Sequence, residues 1–181
     1  MPLTDADNAV MDSIIARYPR SRSAIMPLLH FAQSKDGYVT PESIEVIAKK
    51  LNLETAEVSA VATFYTQYKR KPVGEYHVGV CTNTLCAVMG GDAIFAALKD
   101  HLGIDNDEVT VDGKVSVEHI ECNAACDYAP VVMANREFYD NQTVQSAKDL
   151  VDAMRQGNPP APTRGPNNPI VTGKQIGRAH V

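Results

Sequence analysis

Cys81-Thr-Asn-Thr-Leu-Cys86 and, after residues 87–121, Cys122-Asn-Ala-Ala-Cys126 contain all four cysteines of this 181-residue chain. Each pair is short enough to lie on one loop. Each also follows a strand-like run, Glu75-Tyr-His-Val-Gly-Val80 and Val115-Ser-Val-Glu-His-Ile-Glu121. Strands lying side by side would bring the four sulfurs around one point. On a helix, residues five apart diverge by about 140°, so Cys81 and Cys86 are expected on a loop. Thiolates ligate zinc or iron–sulfur clusters, and four of them fill either kind of site. A thioredoxin-type dithiol would need Cys-x-x-Cys, which neither spacing matches. An all-cysteine [2Fe–2S] centre takes two thiolates per iron, which suits two pairs on two loops. Its charge sums to about −2 oxidised and about −3 reduced, to be met by backbone N–H donors. Small residues between the ligands (Thr82, Asn83, Thr84, Asn123, Ala124, Ala125) would let the backbone close around the sulfurs. Structural zinc, with knuckles from Cys-x₂-Cys to Cys-x₄-Cys, remains open on spacing alone.

The rest of the composition narrows the class. Hydrophobic residues make up 44% and charged residues 22%, the balance of a globular chain with its own core. A net charge of −5 provides no global basic field for nucleic acid, and Lys69-Arg70-Lys71 reads as a solvated cluster. No apolar run approaches the ~18–20 residues of a membrane helix, so no direct membrane insertion is expected. The first basic residue is Arg17, which argues against a secretory or mitochondrial presequence. Four cysteines in such a chain point to metal or redox chemistry in a reducing cytoplasm rather than to a disulfide scaffold.

Outward from the cysteines, residues 1–70 read as a helical bundle. Ala9, Val10, Ile14, Ile15 and Tyr18 recur at helical spacing over 7–18, and Pro19 ends that run. Ile25, Leu28, Leu29 and Ala32 mark a second helix closed by Gly37. Thr40-Pro41-Glu42 caps a third through Ile44, Ile47, Ala48 and Leu51. Val58, Val61, Ala62 and Tyr65 form the inner side of a fourth over 54–68, with Phe64 or Tyr65 expected in the core rather than in an interface patch. Lys71-Pro72-Val73-Gly74 marks a boundary. Residues 75–156 then read as strand, helix 91–102, strand 115–121, a hairpin of 131–134 and 137–139 turning at Asn135-Arg136, and helix 143–155. This β-α-β-β-β-α order, a parallel crossover followed by a hairpin, is that of a thioredoxin-like layer, making the chain α+β. Residues 157–181 hold too little apolar surface to offset ordering and are expected to be a disordered tail. Within them, 175–181 resembles the translation of a sequencing adapter.

Other candidates have weaker claims. His30, His77, His101 and His119 are scattered and read as packed or surface histidines. Gly90-Gly91 reads as a loop and helix start, and no nucleotide-binding loop or nucleophile motif occurs. The chain is therefore expected to have no catalytic residue and no independent active site.

The cysteine pattern, with Ala129-Pro130 after the last cysteine, resembles the small thioredoxin-like [2Fe–2S] subunit of NADH:quinone oxidoreductase (respiratory complex I), the NuoE type. So do Ile25-Met-Pro-Leu-Leu-His-Phe-Ala-Gln33, Val61-Ala-Thr-Phe-Tyr65, Tyr76-His-Val-Gly-Val-Cys-Thr-Asn-Thr-Leu-Cys86 and Glu121-Cys-Asn-Ala-Ala-Cys-Asp-Tyr-Ala-Pro130. The resemblance covers about residues 8–156. It implies that Cys81, Cys86, Cys122 and Cys126 ligate one [2Fe–2S] cluster, a one-electron carrier. It also implies a partner subunit carrying FMN and binding NADH, other peripheral-arm subunits, and a bacterial cytoplasmic location on a membrane-bound complex. Related diaphorase subunits serve NAD-linked hydrogenases and formate dehydrogenases; a zinc-stapled interaction module is the alternative of another class. Two departures bear on the environment of the cluster: Asn123-Ala124 stands where the family usually has Leu-Gly, and Val115 where an aromatic is common.

Overall fold

The computed structural model describes residues 4–164. They form two compact units, residues 4–72 and 73–164, each with its own apolar core.

The first unit holds α1 (Asp5–Ile15), a 3₁₀ turn (Ser21–Ala24), α2 (Ile25–Asp36), α3 (Pro41–Leu51) and α4 (Thr55–Phe64). Met11, Leu28, Leu29, Ile47 and Val58 are fully buried between them. α1 starts earlier than its apolar spacing suggests, because Asp7 is the third residue of a capping box. Its N–H donates to Thr4 Oγ1 at 3.2 Å while the Thr4 N–H donates to Asp7 Oδ2 at 2.9 Å. The same carboxylate pairs with Lys35 of α2 at 2.8 Å. Thr40 caps α3 as its sequence indicates, accepting from the Ser43 N–H.

α4 departs from expectation. It ends at Phe64, and Tyr65 is extended (φ −96°, ψ 112°), so the helical spacing that would turn Tyr65 inward stops one residue short. Phe64 is 77% exposed and Tyr65 40% exposed, against the core placement expected for one of them. Tyr68 enters the core instead, its hydroxyl donating to the Met26 carbonyl at 3.0 Å.

The second unit contains β1 (Tyr76–Cys81), α5 (Thr84–Val88), α6 (Gly91–Leu102), β2 (Glu108–Val109), β3 (Val115–Ile120), β4 (Val132–Ala134), β5 (Glu137–Tyr139) and α7 (Val144–Arg155). The strand order is β2-β3-β1-β4-β5. β1 and β3 run parallel, from Tyr76 beside Val115 to Cys81 beside Ile120; the other pairings are antiparallel. Val78, Val80, Val115 and Val117 pack with Ile94 and Leu98 of α6 and with Leu150, Val151 and Met154 of α7. α5 and β2 have no counterpart in the sequence reading, since five and two residues are too few to show a period. His119 continues the face of Val115 and Val117 but is exposed, with its ring 6.1 Å from that of Phe95. The β4–β5 turn is of the expected two-residue kind, with Asn135 and Arg136 both at positive φ (48° and 70°).

Residues 158–164 do not follow the reading of a structureless tail. The Thr163 N–H donates to the Phe138 carbonyl at 2.8 Å, Arg164 bridges antiparallel to Phe138, and the Tyr139 hydroxyl donates to the Pro160 carbonyl at 3.2 Å. The open edge of β5 supplies the partners, and local composition cannot reveal them. The remainder of that segment, including 175–181, lies outside the described residues. No helix among the described residues is long and apolar enough to cross a membrane.

The Lys35 ammonium, with the Thr4 backbone and hydroxyl, lowers the Asp7 pKa from 3.8 to about 2. A depressed carboxylate contributes stability that is present above its unfolded value and lost as pH falls through its folded one. In urea titrations at pH 5 and pH 2, Asp7→Asn is therefore expected to lose less stability on acidification than the wild type. Equal losses would remove Asp7 as the source.

Candidate metal centre

The parallel β1–β3 register decides where the cysteines go. Both strands point the same way, so the segments leaving Cys81 and Ile120 emerge at one end of the sheet. Cys81 is the last residue of β1, and its N–H donates to the Val131 carbonyl at 3.1 Å, tying it to the end of the second cysteine segment. Cys86 sits in α5, so the first pair spans a strand end and a one-turn helix rather than a single loop. Cys122 lies in an irregular stretch, and Cys126 opens a 3₁₀ turn (Cys126–Tyr128). Pro130 follows through a cis peptide.

All four cysteines are free thiols and line one tight cleft with Asn123, Ala125 and Val131. Cys81 and Cys86 form its buried floor, and Cys122 and Cys126 its exposed side. The Cys122 and Cys126 sulfurs are 3.6 Å apart. Two thiolates sharing one tetrahedral metal at about 2.3 Å would stand roughly 3.8 Å apart, so this pair already has a chelating separation. The Ala124 N–H points to Cys122 Sγ at 3.4 Å, a donor of the kind a negatively charged sulfur requires. His30, His77, His101 and His119 do not line the cleft.

Proximity makes ionisation costly without a cation. Burial, then a hydrogen bond with Cys81, pushes the Cys86 thiol up to about 11, with a hydrogen bond from the Val131 backbone acting the other way. Cys126 is raised by its hydrogen bond with Cys122 and by that neighbour's charge. Thiols held together against their own repulsion are a donor set for metal, whose binding must expel their protons. The sulfurs meet in pairs, Cys81 with Cys86 and Cys122 with Cys126, which suits two metals with two sulfurs each. Among the described residues, no group of three or more His, Cys, Asp or Glu is gathered closely enough to hold a single metal ion.

Two backbone positions build the cleft; the sequence reading takes them only as a helix start (Gly91) and a small residue between ligands (Ala124). A Cβ on Gly91 would lie 2.4 Å from the Cys81 carbonyl oxygen and 2.9 Å from that of Cys86. Gly91 therefore lets α6 begin directly against the first pair, a demand invisible in a bare Gly-Gly. Ala124, at the departure from the resembled pattern, has φ 54°, the left-handed region that favours glycine. The Ala124 N–H···Sγ contact is thus made from a strained residue.

Gly91→Ala is expected to cost about 1–3 kcal/mol by overpacking against backbone that cannot yield, and to lower metal bound per chain. Ala124→Gly is expected to leave stability equal or higher. Thermal melting with metal analysis of both variants checks this; a Gly91→Ala protein with wild-type melting and metal content would refute the close-packing account.

Residues 11–155 match the family described as thioredoxin-like [2Fe-2S] ferredoxin. The chain is 65% identical over 152 residues to the E-type component of the NADH-quinone oxidoreductase of Mycobacterium tuberculosis, covering 84% of this chain and 60% of that protein. It thus spans about 60% of the length of its mycobacterial relatives. It is 41% identical over 150 residues to the protein of the same name in Rickettsia bellii, covering 81% of this chain and 90% of that one. Among solved structures, a chain of an NAD+-reducing [NiFe]-hydrogenase in its H2-reduced state aligns with a TM-score of 0.65 at 19% identity. That alignment covers 75% of this chain and 22% of the other, a likeness of fold. With a family match across both units and relatives this similar, the chain belongs to the thioredoxin-like [2Fe-2S] ferredoxin family.

Proposed function

We propose that Cys81, Cys86, Cys122 and Cys126 hold one [2Fe–2S] cluster, and that the chain is the one-electron carrier of the NADH dehydrogenase module of an NADH:quinone oxidoreductase. The observation that carries the reading is the single cleft formed by both cysteine pairs at one end of the sheet. The sulfur separation of the second pair supports Cys122 and Cys126 sharing one metal, which leaves Cys81 and Cys86 for the other. When bound, the cluster supplies a one-electron couple. The chain's own residues fix the sulfurs on a strand end and a short helix, exclude water from the Cys81–Cys86 floor, and direct the Ala124 N–H at Cys122.

In this reading NADH and FMN reside on a partner subunit, and the chain turns over nothing alone. Leu85, Val88 (80% exposed) and Met89 flank Cys86 in sequence and Tyr128 follows Cys126, and all four are solvent-facing. Apolar groups presented beside a charged site are the composition of a docking face. They support a partner that approaches the cysteine cleft. The helical first unit contributes a further surface to peripheral-arm subunits through Phe64 and Tyr65. A bacterial cytoplasmic place on a membrane-bound complex follows from this role. The 65% and 41% identical relatives favour this assembly over a hydrogenase diaphorase, for which the likeness is one of fold.

Low-temperature EPR of anaerobically purified protein is expected to show an S = 1/2 signal only after dithionite, lost when any of the four cysteines becomes Ser. Silence in both states with stoichiometric zinc would overturn the reading. Val88→Asp with Met89→Glu is expected to leave that signal intact while weakening association with the flavin-bearing subunit about tenfold or more, measured by titration of the two purified subunits. Unchanged affinity would move the docking face elsewhere.

A further inference from the structure

The segment along β5 includes Arg164, which lies outside the 11–155 span of the family match and whose guanidinium gathers four groups. Nε and Nη2 donate to Asp140 Oδ2 at 2.9 Å and Oδ1 at 2.8 Å, a two-bond fork on a carboxylate that is only 7% exposed. Nη2 also reaches Asp127 Oδ1 at 3.4 Å. The guanidinium carbon lies 4.9 Å from the centre of the Tyr128 ring and 5.2 Å from that of Phe138. The Thr163 hydroxyl donates to Asp140 Oδ2 at 2.8 Å and accepts from the Asp140 N–H at 3.0 Å, holding the fork's carboxylate in place. Burial raises the Asp140 pKa, but Arg164 and Thr163 outweigh it and keep the group ionised.

Asp127 and Tyr128 are the two residues that directly follow Cys126 in its 3₁₀ turn. The stretch 121–128 is otherwise exposed except for Ala125, and much of its bonding is internal: Ala124 N–H to Cys122 Sγ, Tyr128 N–H to the Ala125 carbonyl. Side chains from outside grip it near both ends. Asn83 Nδ2 donates to Glu121 at 3.0 Å at the start, and Arg164 clasps Asp127 and Tyr128 at the finish.

We propose that Arg164 is a positioning residue for the Cys122–Cys126 segment, and that its charge sets the electrostatic balance at the metal centre. This rests on the reading that these cysteines hold a [2Fe–2S] cluster. Removing the guanidinium takes away the side-chain hold on the end of the segment next to Cys126, where the bond from the Asn141 N–H to the Tyr128 carbonyl (2.9 Å) remains. It also leaves Asp127 and Asp140 uncompensated beside a centre that becomes more negative on accepting an electron. Negative charge there disfavours the reduced state, so the midpoint potential falls. Lysine keeps the charge but loses the fork and the planar stack. Charge and positioning therefore separate between the two substitutions.

The test uses the full-length, anaerobically purified protein as wild type, Arg164→Gln, Arg164→Lys and Arg155→Gln. The last breaks an arginine pair in the same unit, in which Nε and Nη2 both donate to Asp112 Oδ2 (2.9 and 2.7 Å), and serves as a control for losing an arginine charge. Iron and sulfide content, an EPR-monitored redox titration, and the rate of cluster loss to an iron chelator are measured. Arg164→Gln is expected to titrate at a lower potential and lose its cluster several-fold faster. Arg164→Lys is expected to keep a potential near wild type and still lose the cluster faster, and Arg155→Gln to match the wild type in both. If Arg164→Gln retains no cluster, Arg164→Lys decides: wild-type retention overturns the positioning role, and a lowered potential overturns the charge role. Identical values for Arg164→Gln and the wild type, or equal changes in Arg155→Gln, overturn the proposal. A wild-type protein with no cluster would instead sink the underlying ligand reading.

Discussion

Parallel pairing of β1 with β3 is the constraint on which the second unit depends. A parallel neighbour cannot be reached by a tight turn, so the chain must cross over between the two strands, and α6 in the crossover covers the sheet. The same pairing makes the two strands finish together, Cys81 beside Ile120, so that segments far apart in sequence leave from one point. An antiparallel arrangement would have sent the two cysteine pairs to opposite ends. The four-cysteine cleft is thus a consequence of strand direction before it is one of cysteine spacing.

Once strand direction has brought the pairs together, backbone shape decides how closely they approach. Gly91 lets a helix start against the carbonyls of Cys81 and Cys86, where any side chain would collide. Ala124 takes a left-handed conformation that directs its N–H at Cys122, at the strain cost of a Cβ in that region. The cleft is graded as a result, with one pair buried and the other exposed. In the proposed role, a centre that exchanges electrons with a partner yet resists water needs both sides. The ordered segment 158–164 adds a peripheral clasp that closes over β5 and reaches the turn after Cys126.

Much of this was legible from local pattern. Apolar residues at helical spacing marked the cores of α2, α3, α6 and α7, and Thr40-Pro41 and Gly37 marked helix ends by cap chemistry. Asn135-Arg136 announced its hairpin because few residues tolerate two positive φ values in a row. Other features stayed hidden. The five residues of α5 are too few to display a period, so Cys86 reads from sequence as a loop residue. Phe64 reads as a core candidate because aromatic residues usually bury, yet α4 ends at that residue and leaves it exposed. The role of Gly91 depends on the carbonyls of Cys81 and Cys86, brought against the start of α6 by the fold, and that of Ala124 on a left-handed backbone conformation that an alanine does not announce.

By itself, the sequence determined which atoms could serve as ligands, that they came as two pairs after two strands, and where helices and turns would form. Those properties follow from residue chemistry and from interactions over a few neighbouring positions. Only the tertiary structure decided that the four sulfurs share one cleft, which pair faces solvent, and that Arg164 lies against the turn after Cys126. These are matters of distance between segments remote in the chain. Such distances are set by strand direction, by packing against the sheet and by charges meeting across it, once the chain has folded.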